Sequence, residues 1–385
     1  MARPLLTSLS TQRFDLTLRQ PIAMSFGDVG CQNIVLVRLR DSDGTEGIGE
    51  AAILGGPYWS AETAESVQSV IATYLAPALI GTPLDGLEKL AATMARQVRG
   101  NPVARAAIEM AALDLLGHRH GVAAVDLLGG RCRSTIPVAW TLSTGDVARD
   151  IAEGERAFAE RGHRRFKLKF GRDDPAADVA RATAIIAAFE GRARVIADVN
   201  QAWDAVTAAR YLPALQAAGL EAIEQPLLAD DLSAIAALRT GLGLHIIADE
   251  AVRDPAAAYR IAAAGAASVL ALKPGRDGGP TATRRVAAIA QAAGLGLYGG
   301  SMLETSIGTA ACAHLYASLP DLAFGCECFG PLRLEADLVT APMTIQDGVL
   351  SLPAGPGLGV TLDAERIAFL TRRADLPASM ETLRR

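Results

Sequence analysis

The stretch HRRFKLKFG, from His163 to Gly171, alternates apolar and basic side chains through its centre. A period of two predicts a β-strand, with the apolar side chains on one face and Lys167 and Lys169 on the other. The two ammonium groups would lie about 7 Å apart along the strand. On an exposed sheet face they would be ordinary solvated charges, so the neighbouring strands decide whether the pair has a function.

From about residue 134 the chain repeats one pattern, a short apolar segment followed by an Ala-rich helical segment. The eight predicted strands are TIPVAWTL, RRFKLKF, ARVIADVN, LEAIEQP, LHIIADEA, ASVLALKP, LGLYGG and AFGCECF. Regular alternation with eight strands predicts an α/β fold, a TIM-like barrel of the (β/α)8 type over residues 131–339. A doubly wound open sheet is the alternative.

Residues 1–130 follow a different pattern and are predicted to form a separate α+β domain. QNIVLVRLRDSDGTEGIGEAAIL indicates two strands joined by a turn at Asp43-Gly44. Helical stretches follow, among them SAETAESVQSVIATYLAPALI and NPVARAAIEMAALDLLGHRHG. The last segment, about residues 340–385, is predicted to return to this first domain and complete it.

Composition argues against several kinds of partner. The 385 residues carry a formal net charge of −5 without a basic run, which disfavours nucleic acid. The longest apolar runs are too short to cross a bilayer, and the N-terminus lacks the apolar region of a signal peptide. We therefore expect a cytoplasmic protein that acts on a small molecule. The five cysteines are odd in number and include no CxxC pair, so neither a disulfide scaffold nor a zinc knuckle fits.

Polar residues recur near the predicted C-terminal ends of the barrel strands, where barrel enzymes carry their chemistry. In chain order they are Lys167, Lys169, Asp198, Asn200, Glu224, Asp249, Glu250, Lys273 and Glu327. The steps from 198 to 224, 224 to 249 and 249 to 273 are 26, 25 and 24 residues, about one βα unit each. Successive strands should therefore deliver these residues at a similar height. Burying so many charges costs several kcal/mol per ion, which favours a functional site over a structural one.

Three of these residues, Asp198, Glu224 and Asp249, are carboxylates on consecutive strands. Oxygen ligands are those that Mg²⁺ or Mn²⁺ prefers, so the pattern predicts one divalent cation per subunit. None of the five histidines falls at a strand end, which disfavours zinc. A carboxylate cluster that holds no metal is the alternative.

A divalent cation beside a substrate carboxylate gives the lysines a purpose. It can stabilise the enediolate that forms when the neighbouring carbon gains or loses a proton. Lys169 and Lys273 lie on opposite sides of the carboxylate strands in chain order and are candidates for the acid/base pair. Lys167 is expected to hold charge, and the proximity of ammonium groups and metal is expected to lower the lysine pKa.

GLGLYGG contains the spacing GxGxxG at Gly294, Gly296 and Gly299. A dinucleotide site needs a strand before the first glycine and a helix after the last. Here a helical stretch precedes the glycines, which fall within the predicted strand itself. Packing is therefore the favoured interpretation.

Several segments resemble the muconate-lactonizing subgroup of the enolase superfamily: PVAWTLSTGD, FKLKFG, DVNQAWD, GGPTAT, LYGGSMLETSIGT and ECFGPL. The resemblance covers nearly the whole chain and implies an α+β capping domain over a (β/α)7β barrel. It implies metal ligation by Asp198, Glu224 and Asp249, with Lys169 and Lys273 as the acid/base pair. Glu327 would be an acidic partner near the reacting carbons. Homo-oligomers, often octamers, are usual in this subgroup.

The resemblance also implies that two capping-domain loops select the substrate, here MSFGDVG at 24–30 and LGGPYW at 54–59. The candidate substrate contacts are Lys167, Asn200, Ser301, Leu54, Tyr58 and Phe329. Two segments depart from the pattern: PGRD, which follows the lysine of the sixth strand, and PYWSAE in the capping domain. Both lie near the predicted substrate position, so the choice of diacid and the tolerance for chlorine substituents stay open.

The activity implied is closure of cis,cis-muconate to muconolactone in the degradation of aromatic compounds. Alternatives with the same enolate chemistry are chloromuconate cycloisomerisation, N-acylamino acid racemisation, dipeptide epimerisation and o-succinylbenzoate synthesis. Dipeptide epimerases usually carry Asp-x-Asp after the eighth strand, and Cys326-Glu327-Cys328 does not supply it. A non-catalytic barrel stabilised by metal is the alternative from another class.

Overall fold

The structure, a computed structural model, describes residues 3–172 and 174–374. Its first domain is a three-stranded antiparallel sheet in the order β1-β2-β3, covered by helices. The strands are β1 Leu6–Met24, β2 Gly27–Asp41 and β3 Glu46–Ile53. The helices are α1 Ala64–Val70, a π-helical turn Ile71–Leu75, α2 Ala76–Leu79, α3 Leu87–Gln97, α4 Pro102–His120 and α5 Ala124–Leu127.

Two of these strands were predicted, but β1 was not. Its middle alternates buried Phe14, Leu16 and Leu18 with exposed Asp15 and Thr17, so the period-two signal was present. On the other side of the sheet, α4 packs closely because the backbone of the helix occupies the space that a side chain at Gly49 would need.

The second domain contains seven parallel strands in the order β11-β10-β9-β8-β7-β6-β5. The strands are β5 Trp140–Leu142, β6 Arg165–Lys169, β7 Arg194–Asp198, β8 Ala222–Glu224, β9 His245–Ala248, β10 Val269–Leu272 and β11 Gly296–Gly299. The helices between and after them are α6 Val147–Arg161, α7 Pro175–Ala188, α8 Ala205–Ala217, α9 Leu232–Thr240, α10 Pro255–Ala264, α11 Pro274–Asp277, α12 Pro280–Ala292, α13 Ser306–Ser318 and α14 Gly330–Arg333.

The eighth predicted strand, AFGCECF, is reduced to a single bridging residue. Cys326 forms parallel bridges to Gly299 on one side and to Val138 on the other. The amide of Glu327 donates to the carbonyl of Gly299 at 2.9 Å, and the amide of Ala139 donates to the carbonyl of Cys326 at 2.8 Å. The ring is therefore closed, so the barrel prediction is confirmed and the open sheet is wrong.

The alternation on β6 is the one that the sequence predicts. Phe166 is fully buried outside the barrel, with its ring 4.6 Å from that of Phe189 after α7. Lys167 points into the barrel, where its ammonium lies 5.4 Å from the ring centre of Tyr298. The strand thus buries an apolar face against helices and directs its lysines inward.

The C-terminal segment contacts both domains. The strands β12 Ile345–Gln346 and β13 Val349–Ser351 form a small sheet with β4 Thr135–Pro137, which precedes the first barrel strand in the chain. Helix α15 Ala364–Ala374 lies against β1, and the amide of Gln12 donates to Thr371 Oγ1 at 2.6 Å. Residues 375–385 of the segment predicted to complete the first domain lie outside the described residues. None of the described helices is long and apolar enough to cross a membrane.

Candidate active site

A cavity lies at the C-terminal ends of the barrel strands and beneath the first domain. The first domain contributes Ile22, Met24, Leu54 and Trp59 to its lining. The barrel contributes Thr141, Lys169, Asn200, Lys273, Ser301, Leu303, Glu327 and Phe329. The polar strand-end residues predicted from the sequence therefore meet an apolar cover supplied by the other domain.

Strand register explains why the charged residues meet. Lys169 on β6 is paired with Asp198 on β7, and Asp198 is paired with Glu224 on β8. Asp249 follows directly after β9, and Lys273 follows directly after β10. Parallel strands in register place these side chains at one height, as the spacing in the sequence predicts.

Lys167 lies at the centre of the carboxylates. Its Nζ is 2.6 Å from Glu327 Oε2, 3.0 Å from Glu224 Oε1 and 3.3 Å from Asp198 Oδ2. The lysine is 1% exposed, so these contacts are shielded from water. It does not line the cavity, and instead holds the carboxylates of Glu327, Glu224 and Asp198 together through its ammonium group.

The other two lysines reach the cavity. Lys169 Nζ donates to Asp198 Oδ2 at 2.6 Å and to Asn200 Oδ1 at 3.2 Å. Lys273 Nζ donates to Asp249 Oδ2 at 2.7 Å and lies 4.4 Å from the ring centre of Trp59.

Gly300 makes room for Lys273. A Cβ on Gly300 would lie 2.6 Å from the Cε of Lys273. The second glycine of the Gly299-Gly300 pair is thus explained by close packing against a functional side chain, which agrees with the packing interpretation of the glycine-rich stretch.

The carboxylates around them, rather than the neighbouring ammonium groups, decide the direction of the pKa shift of Lys167 and Lys273. Burial lowers the pKa of Lys167, but Glu224, Glu327 and Asp198 outweigh it and hold the pKa well above its ordinary value. Burial also lowers the pKa of Lys273, but Asp249 and Glu327 outweigh it and raise that pKa above its ordinary value. Sequence reasoning counted the neighbouring ammonium groups, whereas in the fold the carboxylates are closer.

The three carboxylates differ in electrostatic environment. Burial raises the pKa of Glu224 well above its usual range; Lys167 opposes the shift, and Asp198 and Asp249 add to it. For Asp198 burial is outweighed by Lys169 and Lys167, which hold its pKa below the ordinary value. Lys273 and Arg276 do the same for Asp249. Mutual repulsion at Glu224 is the electrostatic signature of a place that a cation would stabilise.

The residues fit a hard divalent cation by donor chemistry and burial. Glu224 Oε2 is buried and has no hydrogen-bond partner, although Lys167 Nζ is 2.9 Å away at an unsuitable angle. Within the described residues, no group of three or more His, Cys, Asp and Glu side chains is already arranged around one metal position. The carboxylates are turned to lysine and arginine instead, so metal binding would require them to exchange those partners.

Arg276 is a site residue that the sequence analysis did not assign, although its segment was noted as a departure. It is buried, its Nη1 donates to the backbone carbonyl of Asp249 at 2.8 Å, and it also contacts the Asp249 carboxylate. Asp277 in turn accepts from Arg276 Nε at 2.8 Å. The departure from the family pattern therefore supplies a second cation to the Asp249 carboxylate.

Glu304 is a second missed residue. Its carboxylate accepts from Ser301 Oγ at 2.6 Å and from the amide of Met302 at 2.9 Å. Leu303, which lines the cavity, adopts a left-handed backbone with φ +58°. Ser301 was predicted as a neutral donor to substrate, but its hydroxyl proton is directed at Glu304.

Of the remaining candidate substrate contacts, four line the cavity and one does not. Leu54, Asn200, Ser301 and Phe329 line the cavity. Tyr58 is 48% exposed and is not part of the lining, which its neighbour Trp59 provides instead. Glu250 is buried beside the site, where Asn200 Nδ2 donates to its Oε1 at 3.0 Å. Cys326 and Cys328 are buried away from the cavity that Glu327 lines, as strand alternation predicts.

The capped (β/α)7β barrel and the acids and lysines at its strand ends define an enzyme of the enolase superfamily. Residues 149–367 match the family described as enolase C-terminal domain-like. Residues 8–129 match the N-terminal domain of the mandelate racemase and muconate lactonizing enzyme family. The chain belongs to this family, and within it to the cycloisomerases, which are isomerases acting as intramolecular lyases.

Relatives and solved structures agree on this group. A chloromuconate cycloisomerase of Pseudomonas putida is 43% identical over 93% of this chain and 96% of its own length. Muconate cycloisomerase 1 of Pseudomonas putida is 43% identical over 93% of this chain and 95% of its own. The muconate lactonizing enzyme of Pseudomonas fluorescens complexed with muconolactone has a TM-score of 0.94 at 41% identity, covering 96% of this chain and 100% of that one.

Proposed function

We propose that this enzyme closes cis,cis-muconate to muconolactone, a step in the degradation of aromatic compounds. The observation that carries the proposal is the polarity of the cavity. Lys169 and Lys273 bring positive charge to it, and Glu327 is the only acid among the described lining residues. Because Lys167 lies 2.6 Å from Glu327, that acid is poorly placed to hold a substrate ammonium. A substrate with two carboxylates and no amine suits such a cavity.

We propose Mg²⁺ or Mn²⁺ as cofactor, held by Asp198, Glu224 and Asp249, whose oxygen ligands suit a hard cation. When bound, the ion supplies positive charge against one substrate carboxylate and so favours electron density moving into that group. A barrel that binds metal only for stability has no need of lysines at its cavity, and here Lys169 and Lys273 line it.

The reaction needs one bond to oxygen and one to hydrogen. A carboxylate oxygen of muconate adds across the conjugated double bond and closes the lactone ring, and the electron pair moves to the other carboxylate as an enediolate. A lysine ammonium then donates a proton to the carbon next to that carboxylate and regains one from water. Lys169 and Lys273 are the candidate donors, because each has its ammonium at the cavity. Both are held by acids, Asp198 and Asp249.

Substrate orientation falls to the other lining residues. Asn200 and the backbone of Ser301 are candidate polar contacts, and Leu54, Trp59 and Phe329 form an apolar cover that would exclude water. Glu327 is proposed to lie beside the reacting carbons. Chlorine adds volume rather than charge to the substrate. The apolar residues Leu54 and Phe329 are therefore candidates for the choice between muconate and chloromuconates, which the assay below measures.

The test is loss of the ultraviolet absorbance of the diene, for muconate and for 2- and 3-chloromuconate. Proton exchange on a panel of N-acylamino acids and dipeptides is followed with the same enzyme. We expect kcat/KM above about 10⁴ M⁻¹s⁻¹ for muconate. The amine- and amide-bearing panel should be at least about 10²-fold poorer, because its polar groups would be buried unpaired. Racemisation faster than muconate loss would refute the proposed substrate.

A further inference from the structure

A second cavity of about 260 Å³ adjoins the active site. It lies between the end of β1, helix α6 and helix α14, and Trp140 forms part of its wall. The ring of Trp140 is 5.5 Å from that of Phe329, which lines the active-site cavity. The two cavities are therefore neighbours that share an aromatic partition.

The lining of this second cavity carries an excess of positive charge. It contains four arginines, Arg19, Arg156, Arg161 and Arg333, against two acids, Glu153 and Glu160. Among the described residues, the guanidinium groups of Arg19, Arg156 and Arg161 have no carboxylate within ion-pair distance. Arg333, the fourth arginine, contacts Glu153 at 3.1 Å.

Glu153 does not neutralise these arginines because it is already engaged. Its Oε1 accepts from Trp140 Nε1 at 2.8 Å and from Arg333 Nη2 at 3.1 Å. Four positive and two negative charges leave a net of two positive charges around the cavity.

Arg333 adds a buried donor without a partner. It is 5% exposed, and its Nη2 also donates to the carbonyl of Thr141 at 2.7 Å. Its Nε is buried and makes no hydrogen bond in the described structure. A buried N–H left unpaired is unfavourable and needs an explanation, such as a ligand that accepts from it.

We propose that this cavity binds a small organic dianion, either a dicarboxylate or a phosphate ester. Two negative charges match the net charge of the lining, and guanidinium groups bind carboxylate and phosphate oxygens in a bidentate manner. The volume lies just below the usual range of about 300–1,000 Å³ for drug-sized ligands, which favours a compact molecule.

Contact with the active site follows from the same geometry. The guanidinium carbon of Arg333 lies 4.1 Å from the ring centre of Trp140 and 5.7 Å from that of Phe329. An anion accepting from Arg333 would thus touch the partition between the two cavities. This site is independent of which substrate the enzyme turns over.

The experiment is calorimetric titration of the full chain with succinate and, separately, with inorganic phosphate. The variant is Arg156→Gln/Arg161→Gln, both exposed on α6 or at its end. The control is Arg210→Gln/Arg260→Gln, which removes the same charge from exposed positions on α8 and α10. Any dicarboxylate bound at the active-site lysines is unaffected by either pair, so the difference isolates the second cavity.

We expect the wild type and the control to bind alike, and the α6 variant to bind at least about tenfold more weakly. Tighter binding of succinate than of phosphate assigns the site to dicarboxylates, and the reverse assigns it to phosphates. No binding outside the active site, or equal weakening in the control, would overturn the proposal. So would a change in the mass of the assembly by light scattering in the α6 variant, since the arginines would then belong to a subunit interface.

Because Arg156 and Arg161 are exposed, we expect their replacement to leave the fold intact. Circular dichroism melts of both double variants establish that they fold. If the α6 double variant does not fold, Arg156→Gln alone is titrated against Arg210→Gln, with the same expected order of affinities and the same outcomes against the proposal.

Discussion

Lys169 is the residue whose replacement tests acid/base catalysis most directly. Its side chain is 10% exposed and reaches the cavity, with Asp198 Oδ2 at 2.6 Å. We expect Lys169→Ala to lower kcat by about 10²-fold or more, as for the loss of a proton-transfer group. The measurement is steady-state kinetics with muconate, beside a thermal melt that shows the fold retained.

Lys273→Ala is the matched comparison, since both lysines line the cavity. If Lys169→Ala kept a near-native kcat while Lys273→Ala lost it, proton donation would belong to Lys273 alone. Near-native kcat in both variants would contradict the acid/base proposal altogether.

Lys167 is expected to behave differently, because its main contacts are acids. Lys167→Met would leave Glu224 and Glu327 buried without the ammonium that they contact at 3.0 and 2.6 Å. Breaking a buried ion pair in this way costs about 3–5 kcal/mol. We therefore expect the free energy of unfolding in urea to fall by that amount in the presence of a chelator.

Lys169→Met serves as the control for this loss of stability, because Asp198 would still be contacted by Lys167 at 3.3 Å and by the amide of Asn200 at 2.9 Å. Equal destabilisation by the two substitutions would show that Lys167 does not have the special structural role that its position implies.

At the residue scale, the sequence predicts those site residues whose positions follow the period of the strands. Asp198, Glu224 and Asp249 were found because strand ends recur at about one βα unit. Arg276 and Glu304 lie in connections after the strands, where neither a period of two nor a helical period applies. Their roles depend on loop backbone geometry, such as the positive φ of Leu303, which sequence spacing does not encode.

At the scale of elements, acids of the first domain dock onto the N-termini of two barrel helices. Glu50 on β3 accepts from the amide of Thr305, the N-cap of α13, at 2.8 Å, and Thr305 Oγ1 also donates to it. Glu109 on α4 accepts from the amide of Thr281, near the start of α12, at 2.5 Å. Carboxyl oxygens at helix N-termini accept from free amides there, so these contacts hold the domains together.

The Glu50 contact predicts a pH dependence of stability. Burial raises its pKa to about 8; hydrogen bonds from Thr305 oppose the shift, and Glu304 and Asp337 add to it. Between about pH 4.5 and pH 8, Glu50 in the folded protein keeps a proton that it has released in the unfolded chain. The free energy of unfolding therefore falls as pH rises through this window, by up to about 1.4 kcal/mol per pH unit.

Glu50→Gln removes this titration. We expect the stability of Glu50→Gln relative to wild type to increase steadily from pH 5 to pH 8, measured by urea unfolding at fixed ionic strength. Glu190→Gln, which removes an exposed acid, is the control and should give a flat difference. A flat difference for Glu50→Gln as well would contradict the raised pKa.

Sequence reasoning was strongest for elements with an uninterrupted period. It predicted seven barrel strands and their helices, but not β1, where the alternation of buried and exposed residues is regular only from Phe14 to Leu18. It also predicted a full eighth strand where Cys326 alone bridges Gly299 and Val138. Gly325, with φ +70°, turns the chain immediately before that residue, so the pairing cannot extend backward as a regular strand.

At the scale of the whole molecule, neither domain forms the site alone. The barrel supplies the charged residues, and the first domain supplies Ile22, Met24, Leu54 and Trp59 as cover. Sequence patterns predicted both domains, and the family resemblance placed the loops at 24–30 and 54–59 over the site, where Met24, Leu54 and Trp59 line the cavity. The hydrogen bonds between the domains were not predicted, because side chains that meet across them, such as Glu50 and Thr305, have no fixed spacing in the chain.

Metal binding should affect the stability of the whole folded molecule. Glu224, Asp198 and Asp249 repel one another in the buried site, so a cation that binds only the folded state stabilises it by linkage. At a free metal concentration of about 100 times Kd, the gain is about 2.7 kcal/mol. We expect Mg²⁺ or Mn²⁺ to raise Tm, and a chelator to abolish muconate turnover reversibly.

The variant that tests the ligands is Glu224→Gln, which keeps the size of the side chain but removes its charge. We expect it to fold, to lose most of the metal-induced rise in Tm and to lose activity, whereas Glu190→Gln should match the wild type in all three respects. The rise in Tm reads metal binding without turnover, so it separates a wrong metal site from a wrong substrate. Full activity in chelator-treated enzyme, or an undiminished metal response in Glu224→Gln, would remove Glu224 from the proposed cation site. The repulsion among the three carboxylates would then have to be relieved by the protein's own cations, Lys167, Lys169, Lys273 and Arg276.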